Sequence, residues 1–254
     1  MSNVTFDFSG KVVLVTGAKG GLGKAYALAF ARAGADLAIC DLKKEGDLEG
    51  VACEVKAMGC RVVAMKVDVA NKGEVQTMVD KTISELGKID VLLNNAGVSP
   101  RGSIFETTEE VWDRTIDTNL KGCYLFCQAA GKNMVERKQG SIINVASELA
   151  FRVDINRVAY IASKFGILGL TRVLARELRQ YNIRVNVLAP GLVKTPMTEY
   201  IFRKPEAATE FIPGLPLGRI GETDDLIYAA MFLASDGAKW MSGQTMVVDG
   251  GTTA

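Results

Sequence analysis

Two side chains at helical spacing could exchange protons with an alcohol or a ketone without help from a metal. Tyr160 and Lys164 bracket the run Tyr160-Ile161-Ala162-Ser163-Lys164, and residues four apart share one face of a helix. A free phenol has a pKa of about 10. A neighbouring ammonium favours the phenolate and lowers that value. The spacing therefore predicts that Lys164 reaches the Tyr160 oxygen and tunes it toward neutral pH. The plainer alternative is a packed tyrosine followed by a solvated lysine. The chain contains no histidine, so Ser-His-Asp triads, Cys-His dyads and His-ligated zinc are excluded. Proton transfer falls to Tyr, Lys, Asp, Glu or Cys.

A second constellation points to a phosphate. Val12–Val15 runs into Thr16-Gly17-Ala18-Lys19-Gly20-Gly21-Leu22-Gly23 and then into a helical stretch. Glycine lets the chain turn sharply and bring backbone close to a ligand. The helix start beyond offers free N–H groups and a positive dipole end. A dinucleotide pyrophosphate suits this turn, although Gly17, Gly21 and Gly23 space as G-x-x-x-G-x-G rather than G-x-G-x-x-G. Lys19 and Leu22 lie within the same loop. Asp41 ends the second apolar run, 24 positions after Gly17. A carboxylate there accepts from ribose hydroxyls and repels a 2′-phosphate, which favours NAD. Lys19, Lys43 and Lys44 are cations that keep NADP open.

These residues need a scaffold, and the apolar patterning supplies one. Buried strands are predicted at Val12–Val15, Leu37–Cys40, Val62–Val67, Val91–Leu93, Ile142–Val145, Val185–Leu188 and Met246–Val248. Helical periodicity lies between most of them, as in Leu22, Ala25, Tyr26, Ala29 and Phe30, or Val75, Met78, Val79, Thr82, Ile83 and Leu86. Apolar strands alternating with helices imply an α/β fold, a doubly wound parallel sheet of about seven strands covered on both faces. No linker or repeat interrupts the pattern, so residues 1–254 read as a single domain. The break in rhythm is 195–221, which holds four of the six prolines and suits a substrate loop.

Bulk composition narrows the function classes. The chain has 254 residues, 48% hydrophobic and 23% charged, with a net charge of +1. That balance gives no basic footprint for nucleic acid. No run of about 18 apolar residues suggests a membrane span, and the N-terminus lacks the basic region of a signal peptide. Five cysteines without a Cys-x-x-Cys pair read as reduced thiols of a cytoplasmic protein. Cys123 and Cys127 sit one turn apart on a helical stretch from Trp112 to about Met134 and are assigned to core packing, not to a metal.

Taken together, these motifs resemble the short-chain dehydrogenase/reductase family, in its subgroup of about 250 residues, over nearly the whole chain. The glycine loop resembles the family's T-G-x-x-x-G-x-G, and Asn94-Asn95-Ala96-Gly97 resembles its N-N-A-G segment. Ser147 and Asn119 lie 13 and 41 residues before Tyr160, and Pro190-Gly191 matches the turn after the sixth strand. The resemblance implies an NAD(P)-dependent, Rossmann-like oxidoreductase acting on CH–OH groups. It makes Tyr160 the general acid and base, with Lys164 lowering its pKa and holding the nicotinamide ribose. Ser147 would bind the substrate oxygen, and Asn119 would organise a water leading from Lys164 to solvent. Gly17, Gly21 and Gly23 would meet the pyrophosphate, Asp68 and Val69 the adenine. Asn95, with Ala96 and Gly97, would support the cofactor pocket, and Val193 and Thr195 would meet the carboxamide. A homotetramer or homodimer built on the helix of Cys123 and the Tyr–Lys helix is also implied.

The substrate pocket is expected from segments after the fourth, fifth and sixth strands. Glu148, Arg152 and Arg157 are its charged candidates beside Ser147 and Tyr160. An arginine-held anionic or strongly polar hydroxy compound, such as a sugar acid, is one reading; arginines solvated or paired with nearby acids is the other. Phe151, Tyr200, Phe202 and Phe211 would suit an apolar or steroid-like substrate, as in a hydroxysteroid dehydrogenase. A 3-oxoacyl-thioester reductase using NADPH is the remaining enzymatic alternative, and Asp41 argues against it.

Overall fold

Near-continuous apolar strands bury on both faces only if helices cover both faces, and the chain folds that way. The computed structural model describes residues 4–42, 47–202 and 214–254. Seven strands, β1 (Val12–Thr16), β2 (Asp36–Asp41), β3 (Val62–Lys66), β4 (Val91–Asn94), β5 (Gly140–Val145), β6 (Ile183–Pro190) and β7 (Thr245–Val248), form one sheet in the order 3-2-1-4-5-6-7. Every pairing is parallel. All seven predicted strands are present, each within a few residues of its predicted ends.

Alternation within a strand sorts side chains to the two layers. Val13 and Val15 of β1 join a core with Tyr26 and Phe30 of α1 (Gly21–Arg32), Val51 of α2 (Asp47–Ala57) and Leu226 of a late helix, Asp224–Ala234. Val12 and Leu14 face the opposite core. It contains Met78 of α3 (Lys72–Leu86) and Phe126 and Met134 of the helix Gly122–Arg137. α3 begins cleanly because the Asn71 side chain accepts from the Gly73 and Glu74 amides. It ends at Gly87, where φ is 91°.

The stretch predicted as one helix from Trp112 to Met134 is divided. α4 (Glu109–Ile116), capped by Thr108, leads into a π turn, Asp117–Lys121, and then α5 (Gly122–Arg137). The wide turn inserts where Asn119 must point inward, a place where π geometry often serves a site. Among the described residues the remaining α-helices are α6 (Val158–Leu178), the short α7 (Glu199–Phe202) and α8 (Asp224–Ala234). By length and composition the stretch Val158–Tyr181 could cross a membrane. In this fold α6 instead packs against β6 and buries Ser163 and Lys164. Cys123 and Cys127 are buried on α5, where the Cys127 Sγ accepts from Asn94 Nδ2 at 3.3 Å.

The connections from β1 run one way across the sheet, to β2 and β3. Those from β4 run the other way. A crevice opens between the carboxyl ends of β1 and β4, where doubly wound sheets bind ligands.

Candidate active site

The crevice is a cleft of about 630 Å³, in the range of small-molecule sites. The glycine loop forms one wall with Gly17, Lys19, Gly20, Gly21 and Leu22; Asp41, Leu42 and residues 67–70 form the next. Asn95, Ala96, Gly97 and Val98 lie opposite, and Thr195, Pro196 and Met197 close the top. Hydrogen bonds tie the walls together. Thr16 Oγ1 accepts from the Asn95 and Ala96 amides, both at 3.0 Å, and Asn95 Nδ2 donates to the Thr16 and Gly17 carbonyls at 3.1 and 3.2 Å. Gly17 has φ +67°, and a β-carbon there would lie 2.8 Å from Ala96 Cα. The glycine is therefore required twice over, for the turn and for the approach.

The glycines divide their roles. Gly17 and Gly21 line the cleft. Gly23 is not among the lining residues, and a β-carbon there would stand 2.0 Å from the Gly17 carbonyl oxygen. Its bareness lets α1 pack under the loop. Gly191 likewise packs against Asp249, and neither it nor Pro190 lines the cleft. Val193 is buried beside the cleft in a short bridge to Gly221, and Thr195 lines it. Asp41 Oδ2 accepts from the Lys19 amide at 3.1 Å. The Asp68 carboxylate turns back to the Ala70 amide at 2.9 Å, leaving its edge and Val69 on the wall. Arg114, Asp117 and Thr118 also line the cleft. No motif marked them: Arg114 comes from α4, and Asp117 and Thr118 from the π turn that follows it.

The fit to a dinucleotide is good. Gly17 and Gly21 present bare backbone to it, α1 begins at Gly21, and the Asp41 carboxylate is on its wall.

The proton-transfer candidates do not line this cleft themselves; they stand behind its wall at Gly97, where a β-carbon would meet Asn119 Oδ1 at 3.1 Å and Lys164 Nζ at 3.7 Å. Ser147 ends the strand segment after β5 and caps the 3-10 turn Glu148–Ala150, its Oγ accepting from the Leu149 amide at 3.2 Å. Tyr160, in the first turn of α6, hydrogen-bonds to Ser147. Lys164, one turn on, is buried, and its Nζ donates to the Val145 carbonyl at 2.8 Å while standing 5.6 Å from the Tyr160 ring centroid. The hydrogen bond of the ammonium thus goes to β5, with the Tyr160 ring alongside. Burial pushes the Tyr160 phenol above its ordinary value, against the lowering effect of Ser147 and Arg157. Burial also pulls Lys164 down to about 8. The β5 carbonyl, a stronger acceptor than a neutral phenol, takes the ammonium instead.

Asn119 Nδ2 donates to Ser163 Oγ and the Val98 carbonyl, both at 3.0 Å, and its Oδ1 accepts from the Val98 amide at 2.8 Å. The side chain is thereby tied to the loop after β4 and to α6.

On the substrate side the arginines separate. Arg152 is exposed and pairs with Glu148 Oε1 at 3.4 Å, the alternative in which an arginine pairs with a nearby acid. Glu148 is buried, its Oε2 has no partner among the described residues, and burial raises its carboxyl despite Arg152. Arg157 does reach inward. It donates to Ser99 Oγ at 2.6 Å and to Tyr200 Oη at 2.7 Å, and lies 6.0 Å from the Tyr160 ring centroid. Arg101, absent from the predicted site, donates to the same Tyr200 oxygen at 2.7 Å. Lys43, Lys44, Arg203, Lys204 and Phe211 lie outside the described residues, as does the middle of the predicted 195–221 loop.

Known proteins share this arrangement. Residues 17–253 match the family model of enoyl-(acyl carrier protein) reductase. A 3-oxoacyl-[acyl-carrier-protein] reductase of Thermotoga maritima is 38% identical over 95% of this chain and 97% of its own. A D-threitol dehydrogenase of Mycolicibacterium smegmatis is 40% identical over 99% and 96%. The crystal structure of an NAD+-bound xylitol dehydrogenase superposes with a TM-score of 0.91 at 30% identity, covering 96% of this chain and 99% of that one.

Proposed function

The chain belongs to the short-chain dehydrogenase/reductase family, and from that premise we propose that Tyr160 exchanges the proton as this NAD(P)-dependent oxidoreductase interconverts a secondary alcohol and a ketone. The observation that carries the reading is the grouping of Tyr160 with Ser147 and, one turn on, Lys164, whose Nζ lies behind Gly97 of the cleft wall. Bound there, the nicotinamide supplies or accepts the hydride. The protein's part is proton handling and charge. The phenol of Tyr160, kept protonated by burial, donates to a ketone oxygen in reduction. Ser147 holds that oxygen and eases its developing charge. In oxidation the same phenol must ionise, and the cations Arg157 and Lys164 favour the charged form.

NAD is the cofactor we assign, because the Asp41 carboxylate stands on the cleft wall where a 2′-phosphate would have to lie. The substrate we assign is a polar or anionic hydroxy compound, since Glu148 and Arg157 flank the proton-transfer residue. The resemblance to D-threitol dehydrogenase supports a polyol-like molecule. A second reading, an NADPH-dependent 3-oxoacyl-thioester reductase, draws on the Thermotoga relative, and the cofactor preference separates the two. Exposed Tyr124 on α5 and Phe165 and Val173 on α6 support a homodimer or homotetramer.

The test is reduced-nicotinamide absorbance with NAD or NADP and a panel of polyols, sugar acids, hydroxysteroids and 3-hydroxyacyl thioesters. Tyr160→Phe should lose about a thousandfold in kcat while still binding cofactor. Full turnover by that variant would overturn the reading.

A further inference from the structure

We propose that Arg101 and Arg157 form a carboxylate-binding subsite beside Tyr160, with the Tyr200 hydroxyl standing where a substrate carboxylate binds. The proposal rests on the reading of this chain as an alcohol–ketone oxidoreductase and names its substrate as a hydroxy acid.

Two guanidiniums from separate loops converge on one neutral oxygen. Arg101 follows β4, Arg157 precedes α6, and each donates to Tyr200 Oη at 2.7 Å. The segments are tied by the Gly102 amide, which donates to the Asn156 carbonyl at 3.0 Å. Neither arginine has a carboxylate partner among the described residues. The acids nearby are otherwise engaged, Glu148 with Arg152 and Asp154 with the Ile155 amide. A phenol oxygen carries no charge to offset two cations, whereas a carboxylate offers two charged oxygens to two forks. The Arg157 Nε is buried and still lacks an acceptor. Ser99 Oγ, held by Arg157 at 2.6 Å, fixes the guanidinium in place. Since the Arg157 guanidinium lies 6.0 Å from the Tyr160 ring centroid, a carboxylate there sits only a few carbons from a carbinol at Tyr160.

The test pairs acids with neutral counterparts, D-gluconate with D-sorbitol and 3-hydroxybutyrate with 2-butanol. Turnover is measured with NAD, and binding is measured by calorimetry to the NAD-loaded Tyr160→Phe protein. Arg101→Gln should weaken the acids about tenfold to a hundredfold, in KM more than in kcat, and move the neutral alcohols far less. Arg157→Gln should weaken acid binding as strongly and, because Arg157 also favours the Tyr160 phenolate, lower kcat on acids and neutral alcohols alike. Arg101→Gln sits on an exposed loop and keeps the test open should Arg157→Gln not fold. Tyr200→Phe should tighten the acids severalfold, because the competing oxygen is gone. A merely structural tyrosine would not do that. Acids that fail to bind, or bind independently of both arginines, overturn the subsite. Arginine-dependent binding without turnover on any substrate keeps the subsite and removes the proposed chemistry.

Discussion

At the amino ends of the strands Asp90 lies buried with the Val12 amide at 2.9 Å, Arg137 at 2.6 Å and Lys88 at 3.1 Å all directed at its carboxylate. At the carboxyl ends of the same sheet Lys164 is buried with a single carbonyl acceptor, Glu148 keeps one oxygen without a partner, and two arginines share one phenol. Both regions bury charge. The first surrounds it with opposite charge and amide donors, so it behaves as structure. The second leaves charge short of partners, and such groups mark sites where a ligand completes the set. Arg137 also donates to the Ile89 carbonyl at 2.9 Å, which locks α5 to the strand edge far from the cleft.

Substitutions on each side should therefore act with opposite sign. The largest effect is expected at the saturated end. Asp90→Ala strands Arg137 and Lys88 and should cost about 3–5 kcal/mol in urea unfolding, with little change in cofactor affinity. Burial pushes the Asp90 carboxyl up, but the Val12 amide, Arg137 and Lys88 overcome it and hold it below 3.8. Its contribution is thus complete above that value and is lost as pH falls through the lower folded value. An Asp90→Ala protein as stable as the parent would erase the contrast.

Lys164→Met should do the reverse. The folded ammonium titrates at about 8 against 10.5 when exposed, so the unfolded chain binds more protons between those values. Stability of the cofactor-free protein therefore climbs with pH across that window. The methionine variant should be more stable near neutral pH by up to about 3 kcal/mol. The difference should close as pH approaches the upper value, while turnover is lost. Equal unfolding profiles for the two proteins would mean that Lys164 is not a strained charge.

The smallest effect is steric. Gly23→Ala forces a β-carbon against the Gly17 carbonyl and Asn95 Nδ2, which it would meet at 2.0 and 2.6 Å. About 1–3 kcal/mol of stability should go with it, and cofactor affinity should fall because the Gly17 turn shifts. Retained affinity would show that the loop adapts.

Much of this was legible in one dimension. Apolar runs in Val12–Val15 or Ile142–Val145 announce parallel strands because burial on both faces leaves no polar alternate. The glycine loop and the Tyr160–Lys164 spacing locate cleft and chemistry because each depends on neighbours within a turn or two. The π turn was not legible, since no residue at Asp117–Lys121 breaks the helical pattern. Arg114 and Thr118 went unmarked with it.

Sequence by itself determined the fold class and the order of elements, and it marked Tyr160 as the candidate for proton transfer. Tertiary structure alone decided where Lys164 donates, how closely Gly23 packs under the Gly17 turn, and that Arg101 joins Arg157 on Tyr200 while Arg152 pairs with Glu148. The physical reason is competition. A buried donor goes to the best acceptor in reach, and which acceptors are in reach depends on strands and loops far apart in the chain.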